Sequence, residues 1–392
     1  MADLPYGRHS IDQSDIDAVV AALRADFLTQ GPTVGQFEAA VAELVGARHG
    51  VAVNSATSAL HLACLALELR PGDVAWTSPI TFAATANCVF YCGGRVEYID
   101  INRDSFNVDP SLLEERLRKA ASANQLPKVF LPVHLGGAPC DMDVIIEVCR
   151  NYGVRVVQDA SHALGARIGP DSVLAPRFGD VAVTSFHPVK MITTAEGGMA
   201  ITSDEECARR IARLRSHGIT RAVSEMSVRS DDPWYYEQLE LGFNYRMPDL
   251  FAALGLSQLR RLEYFVQRRN EIAEQYRQLL DPQCYQLQRV AQGTRSSYHL
   301  VIAVPNYEVL RTSQREVFER LRMRGVRANL HYIPVYRHPF HRARLVREPD
   351  CPNAEWYYAR AITLPCYPAM TNDDVKSVVD ALQTPVGHQT IF

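Results

Sequence analysis

The sequence predicts an α/β fold: a large domain on a mainly parallel sheet, followed by a smaller α+β domain. Three observations carry this. From Gly50 to Gln158, short apolar runs alternate with amphipathic helical runs, the rhythm of strand–helix–strand units. After Gly242 the alternation stops and a long helical run begins. The 392 residues, at about 150 per domain, suggest two domains. The division is placed at 1–248, including an N-terminal arm, and 249–392.

In chain order, Met1 to His9 reads as an extended arm. Ser10 can cap a helix whose apolar positions are Ile16, Val19, Val20 and Leu23. Gln30-Gly31-Pro32 lies in a loop, and Val34, Phe37, Val41 and Leu44 mark the next helix. Strands follow at Val51 to Val53, Val74 to Thr77, Arg95 to Ile99, Val129 to His134 and Val154 to Gln158. Between them lie helices at Ser58 to Glu68, near Thr81 to Tyr91, after Pro110, and at Val144 to Tyr152. Val181 to Phe186 and Met199 to Thr202 are two further strands. A long helix is expected from about Leu250 to Tyr276, followed by a strand at Tyr298 to Val304. A helix near Val317 to Arg324, a strand at Val326 to His331 and a last helix from Asn372 complete the chain.

Composition narrows the function. The chain is 47% hydrophobic and 22% charged, with a net charge of -3 and no basic block, which argues against a nucleic-acid partner. No apolar run approaches the ~20 residues of a membrane span, and the first residues lack a signal-peptide pattern, so a cytoplasmic location is expected. The nine cysteines are scattered without C-x-x-C pairs, which fits reduced, packed thiols. No metal site is expected, His338 and His341 reading as a loop beside prolines.

The stretch Val181 to Met199 carries the chemistry. Lys190 sits in a nearly charge-free turn between two core strands, where burial would lower its pKa toward neutrality and make it an amine able to attack a carbonyl. The competing reading is a lysine at a loop tip. Asn54, Asp159 and Ser185 each follow a strand directly, so all can face one crevice at the carboxyl ends of a parallel sheet. Ser55-Ala56-Thr57-Ser58 opens a helix whose backbone N–H groups, with the Thr57 hydroxyl, can seat a phosphate. Asp159 is either a helix cap, a metal ligand, or the partner of a protonated pyridine nitrogen. Phe82 reads as core, or as an aromatic stacked on a flat ring. Ser185 can reach the same phosphate.

In order, Gln30-Gly31-Pro32, Asn54 to Ala59, Thr81-Phe82, Gln158 to Gly165, Ser185 to Lys190, Glu196-Gly197-Gly198, His217-Gly218 and Gly242 to Met247 form a chain-long set. That set resembles the DegT/DnrJ/EryC1/StrS sugar-nucleotide aminotransferases, which have the type I, aspartate aminotransferase-like fold. The resemblance implies pyridoxal 5'-phosphate as cofactor, held covalently by Lys190, with Asp159 on its ring nitrogen, Phe82 stacked on the ring and His162 near its 3-oxygen. Ala56, Thr57 and Ser185 would hold the phosphate. Asn244 would reach the phosphate in the neighbouring subunit, so the resemblance also implies a homodimer with shared sites.

Within the family, His187-Pro188-Val189-Lys190 and Asn54 to Leu60 look most like the branch that makes the pseudaminic acid precursor. Its members aminate C4 of UDP-2-acetamido-2,6-dideoxy-β-L-arabino-hexos-4-ulose with L-glutamate as donor. Met191 departs from the expected Pro and Ala195 from the usual Gly. Candidate substrate contacts are Arg8, Arg215 and His217 for the diphosphate, His331 and Tyr332 for the sugar, and Thr29; each reads equally well as a packing or surface residue. The nearest alternative is an aminotransferase for another UDP-, dTDP- or GDP-linked keto sugar. Relatives that deoxygenate sugars carry His in place of this lysine, and a desulfurase would need a reactive loop cysteine. A non-catalytic regulator would need a helix-turn-helix extension for which the chain has no room.

Overall fold

The structure is a computed structural model that describes residues 3–228, 230 and 232–383. Residues 1 and 2 of the expected arm, and 384–392 of the expected small domain, lie outside the described residues. The central sheet has seven strands in the order Arg95–Tyr98, Val74–Thr77, Val129–Leu131, Arg155–Asp159, Val181–Ser185, Gly198–Thr202 and His49–Val53. Neighbours pair in parallel as far as Val181–Ser185. Gly198–Thr202 then runs antiparallel to both of its neighbours. Being flanked by one reversed strand, His49–Val53 points the same way as Val181–Ser185. The carboxyl ends of His49–Val53, Arg155–Asp159 and Val181–Ser185 therefore share one edge, and Gly198 begins there too.

The inner strands Val129–Leu131, Val181–Ser185 and Gly198–Thr202 are buried throughout, and a core lies on each side of the sheet. One contains Phe37, Trp76, Phe130, Ile145 and Phe186; the other contains Leu60, Leu62, Val89, Val157 and Ile211. Beyond the sheet, Tyr285–Leu287, Val301–Pro305 and Ile362–Leu364 form a three-stranded antiparallel sheet. It packs with Gln314–Met323 and Asn372–Gln383 around Tyr276, Leu321, Val375 and Val378. The helix Leu262–Leu279 joins the two assemblies: Phe265 and Val266 enter the large core, and Ile272 and Tyr276 the small one.

Three local expectations are corrected. The first helix, Gln13–Arg24, is capped by Asp12 rather than Ser10, in a reciprocal box with Asp15. Its apolar stripe is not its buried face: Ile16 is 48% and Leu23 55% exposed, whereas Asp15 and Ala22 are buried. Asp15 is held there by Gln258 Nε2 at 2.6 Å and by Arg261, an ion pair that outweighs the pull of the stripe. The long helix is two, Asp249–Leu259 and Leu262–Leu279, broken at Arg260 and Arg261. All nine cysteines are free thiols, eight of them buried.

Candidate active site

The loop from Phe186 to Gly197 joins two neighbouring antiparallel strands, so Lys190 is carried back over the carboxyl edge of the sheet. Its turn closes through Lys190 N–H on His187 O at 2.9 Å. Thr193 Oγ1 and Thr194 N–H both donate to Phe186 O, at 3.1 and 3.0 Å, and pin the loop's far side. Ala195 adopts φ 65, left-handed backbone in which a side chain costs free energy and the glycine of the family pattern would not. Met191 is buried in the large core.

The Lys190 ammonium is drawn down to about 8, chiefly because its surroundings desolvate the charge, with Asp159 pulling the other way. The expectation of a lowered lysine thus has a physical basis at this position. Neutral amine rises with pH until the amine is mostly free, so capture of an aldehyde by the cofactor-free protein is expected to climb about tenfold from pH 6 to 7 and level off above about 8. A stopped-flow pH series measures this. A plateau delayed beyond pH 10 would mean the amine is solvated.

Asp159, the last residue of its strand, is buried at the same edge. Thr81 and Thr85 hydroxyls lie 2.6 Å apart, and Thr85 Oγ1 donates to Asp159 Oδ2 at 2.6 Å. Oδ1 accepts from Ser161 N–H at 3.1 Å. Asp159 is therefore a carboxylate oriented by two donors, and it caps no helix, because turns follow it. Gln158 Oε1 lies 2.9 Å from His134 Nε2, while His134 Nδ1 accepts from Cys140 N–H at 3.0 Å. His134 is pushed down to about 4 by burial and stays neutral behind the strand.

The helix Ala56–Ala66 starts at this edge. Ser55 caps it by accepting from Ser58 N–H at 3.2 Å, and Asn54 Oδ1 takes the Ser58 hydroxyl at 2.7 Å. Ala56 and Thr57 N–H have no acceptor among the described residues, and they point from the positive end of a helix. Gly198 pairs with both Val53 and Ser185, and a Cβ on it would lie 2.3 Å from Ala56 N. The glycine is what lets the helix start sit directly over the strand. Gly198→Ala should push that start away and weaken phosphate binding by about ten- to a hundredfold, the scale of overpacking. Fluorescence titration of the cofactor would read this; unchanged affinity would show that the helix start is not the seat.

Of the sequence candidates, Phe82 is 61% exposed beside Tyr332, with ring centroids 6.1 Å apart, so it is not core. His162 is buried, and its Nε2 lies 3.1 Å from the Tyr332 hydroxyl. Ser185 is buried, with Oγ accepting from His187 N–H at 3.4 Å. His331 packs on Tyr6 of the N-terminal arm at 4.9 Å, while Gly7 lies against Val189. The arm thus runs between the lysine turn and His331, and leaves Arg8 exposed beside it. His331 Nδ1 is 2.9 Å from Thr363 Oγ1, and burial pushes its ring down to about 3.

The structure does not bring the remaining candidates into this cluster. Arg215 Nη1 is committed to Glu38 and to Ala52 O at 2.6 Å. His217 is exposed at φ 65, where its N–H meets Phe243 O at 2.7 Å. Thr29 is exposed and bridges Pro248 through its backbone. Asn244 is exposed and bridges Ser216. Sequence reasoning missed Thr85, whose spacing of four from Thr81 at a helix start was the available signal. It also missed Asp249, which takes Gly31 N–H at 2.7 Å and Thr33 N–H at 2.8 Å and so docks the Gln30-Gly31-Pro32 turn on the start of the helix Asp249–Leu259. His299, buried 4.4 Å from His162, carried no local signal.

The family model for the DegT/DnrJ/EryC1/StrS aminotransferase family matches residues 9–383. The chain belongs to that family. It is 37% identical over 389 residues to the spore coat polysaccharide biosynthesis protein SpsC of Bacillus subtilis, covering 97% of this chain and 96% of the relative. It is 37% identical over 382 residues to a UDP-4-amino-4,6-dideoxy-N-acetyl-beta-L-altrosamine transaminase of Campylobacter jejuni, with coverages of 97% and 96%. Helicobacter pylori PseC, an aminotransferase involved in the biosynthesis of pseudoaminic acid, superposes with a TM-score of 0.87 at 28% identity. That superposition covers 97% of this chain and 98% of PseC.

This DegT-family chain is a pyridoxal 5'-phosphate-dependent aminotransferase with the type I fold. Its crevice fits that cofactor: a low-pKa amine for the aldehyde, a doubly oriented carboxylate for a ring nitrogen, free backbone N–H groups for a phosphate, and an exposed aromatic for the ring face. Among the described residues no group of three or more His, Cys, Asp or Glu could hold a metal, and no helix is long and apolar enough to cross a membrane.

Proposed function

We propose that the chain moves an amino group from L-glutamate to C4 of a UDP-linked 4-keto-6-deoxy N-acetyl sugar, giving the precursor of pseudaminic acid. The similarity along nearly the whole chain to the Campylobacter transaminase carries this reading. Pyridoxal 5'-phosphate, when bound, supplies an electron sink for the charge left at the donor's α-carbon. Lys190 Nζ would hold the cofactor through its aldehyde carbon and, as the free amine, would carry the proton from the donor's α-carbon to that same carbon. Asp159 would keep the ring nitrogen protonated, Phe82 would cover the ring face, and Ala56, Thr57 and Ser185 would hold the phosphate. The nucleotide, far from the reacting carbon, supplies binding energy that orients the ketone. In this reading Arg8, on the arm beside the lysine turn, His331 and Tyr332 would meet the substrate.

The reading includes a homodimer with sites shared through Asn244. Its support is the exposed position of Asn244, three residues after Leu241, which is 82% exposed, with Trp234 at 70% on the same segment. Exposed apolar side chains of this size gain most from a protein partner. Mixing Lys190→Ala and Asn244→Ala subunits should restore part of the activity, because one hybrid site regains both residues. Heterodimers that form and stay inactive would exclude sharing.

The equal identity to SpsC favours a second reading, a different nucleotide-linked keto sugar. The test loads the enzyme with pyridoxamine phosphate and adds the L-arabino and D-xylo UDP-4-keto sugars separately, following the absorption of the regenerated cofactor. Fast reaction with the L-arabino epimer is expected. Reaction only with the D-xylo epimer moves the chain to the bacillosamine-type branch, and reaction only with dTDP or GDP sugars removes the UDP assignment.

A further inference from the structure

The small domain carries a groove that the cofactor crevice does not use. The last turns of the helix Leu262–Leu279, the strand Tyr285–Leu287 and the loop from Gln288 to Ser296 bound a cavity of about 860 Å³. That volume lies within the ~300–1,000 Å³ of ordinary small-molecule sites. None of the residues placed at the Lys190 crevice lines it.

The charge on its lining has one sign. Arg277, Arg289 and Arg295 all line it, and among the described residues no Asp, Glu or Lys does. Arg277 is paired with Glu274 and braced by donating through Nη2 to the Tyr298 hydroxyl at 2.9 Å. Arg295 commits Nη1 to Glu263 at 2.7 Å and leaves Nε and Nη2 without an acceptor among the described residues. The Arg289 guanidinium has no acceptor there at all. Both glutamates approach from outside the lining, so the cavity keeps an excess of positive charge and several free N–H donors. Planar guanidinium forks match the paired oxygens of a phosphate.

The other wall is apolar, made by Leu280, Leu287 and Val290. An inorganic anion leaves that wall uncovered, whereas the flat body of an organic phosphate covers it. We propose that this groove is a second binding site, for an organic polyphosphate of nucleotide size. Its phosphates meet Arg289 and Arg295, and its apolar body lies on Leu280, Leu287 and Val290. Tyr298, part of the same lining, precedes His299, so the occupant is one residue removed from the ring that packs on His162.

Titration calorimetry on the cofactor-loaded protein, whose own phosphate seat is filled, tests this with ATP, GTP, CTP and inorganic tripolyphosphate. UTP is left out because the substrate reading itself gives a uridine nucleotide a place in the crevice. At least one of the three nucleotides should bind. Arg289→Gln/Arg295→Gln should weaken it by about ten- to a hundredfold, the scale of a lost hydrogen bond to a charged group. Arg289→Gln alone, which breaks no side-chain bond in the free protein, should carry part of that loss. Both variants should keep the wild-type cofactor absorption and thermal unfolding. Tripolyphosphate should bind at least about tenfold more weakly than the nucleotide. No nucleotide binding at millimolar concentration, or binding as tight in the double variant as in the wild type, would overturn the site. Tripolyphosphate binding as tightly as the nucleotide would overturn the organic class of the ligand.

Discussion

Lys190→Ala is expected to abolish transamination, by at least about 10⁴-fold, because one change removes both the covalent anchor and the group that moves the proton. The fold should survive. Lys190 lies in a turn outside the strands, its backbone bond to His187 O does not need the side chain, and Asp159, the charge that faces it, keeps its bonds from Thr85 Oγ1 and Ser161 N–H. Circular dichroism and thermal unfolding near those of the wild type, with loss of the bound-cofactor absorption, is the result to look for. Retained absorption with normal turnover would mean that another lysine, such as Lys128, holds the cofactor.

Asp159→Asn is expected to act differently. A charge-assisted bond to a protonated ring nitrogen is worth about 1.5–3 kcal/mol, so its loss slows the reaction by roughly ten- to a hundredfold. The same change removes the negative charge that opposes desolvation of Lys190, so the lysine should fall below about 8 and reach its free-amine plateau at lower pH. Chemistry slows while aldehyde capture at pH 7 becomes faster. Thr85→Val should slow turnover less, since Ser161 N–H still orients the other oxygen. Equal losses in both capture and turnover for Asp159→Asn would point to misfolding rather than to lost charge.

These residues were legible in the sequence to different degrees. Asp159 and the Ser55 to Ser58 helix start could be read because each follows a strand end, and strand ends in a parallel sheet share an edge; Lys190 could be read from its charge-free turn between two core strands. The order of the strands could not. Met199 to Thr202 reads as an apolar run whichever way it points, and only pairing with both His49–Val53 and Val181–Ser185 reverses it. That reversal brings Gly198 to the phosphate end. The first helix shows the converse limit: periodicity finds an apolar stripe on Ile16 and Leu23 but not what lies against it, and the buried Asp15–Arg261 pair chose the other face. Arg215 looked like an anion contact until Glu38 claimed it. Likewise, Thr85 and His299 have no local pattern of their own, because their partners lie 74 residues away at Asp159 and far along the chain at His162.

Borohydride reduction of the cofactor-loaded protein, followed by mass mapping of the peptides, tests the central claim most directly. The account predicts that the phosphopyridoxyl group is recovered on Lys190 alone, in the peptide that contains Ser185 to Gly198. Recovery on any other lysine would contradict it.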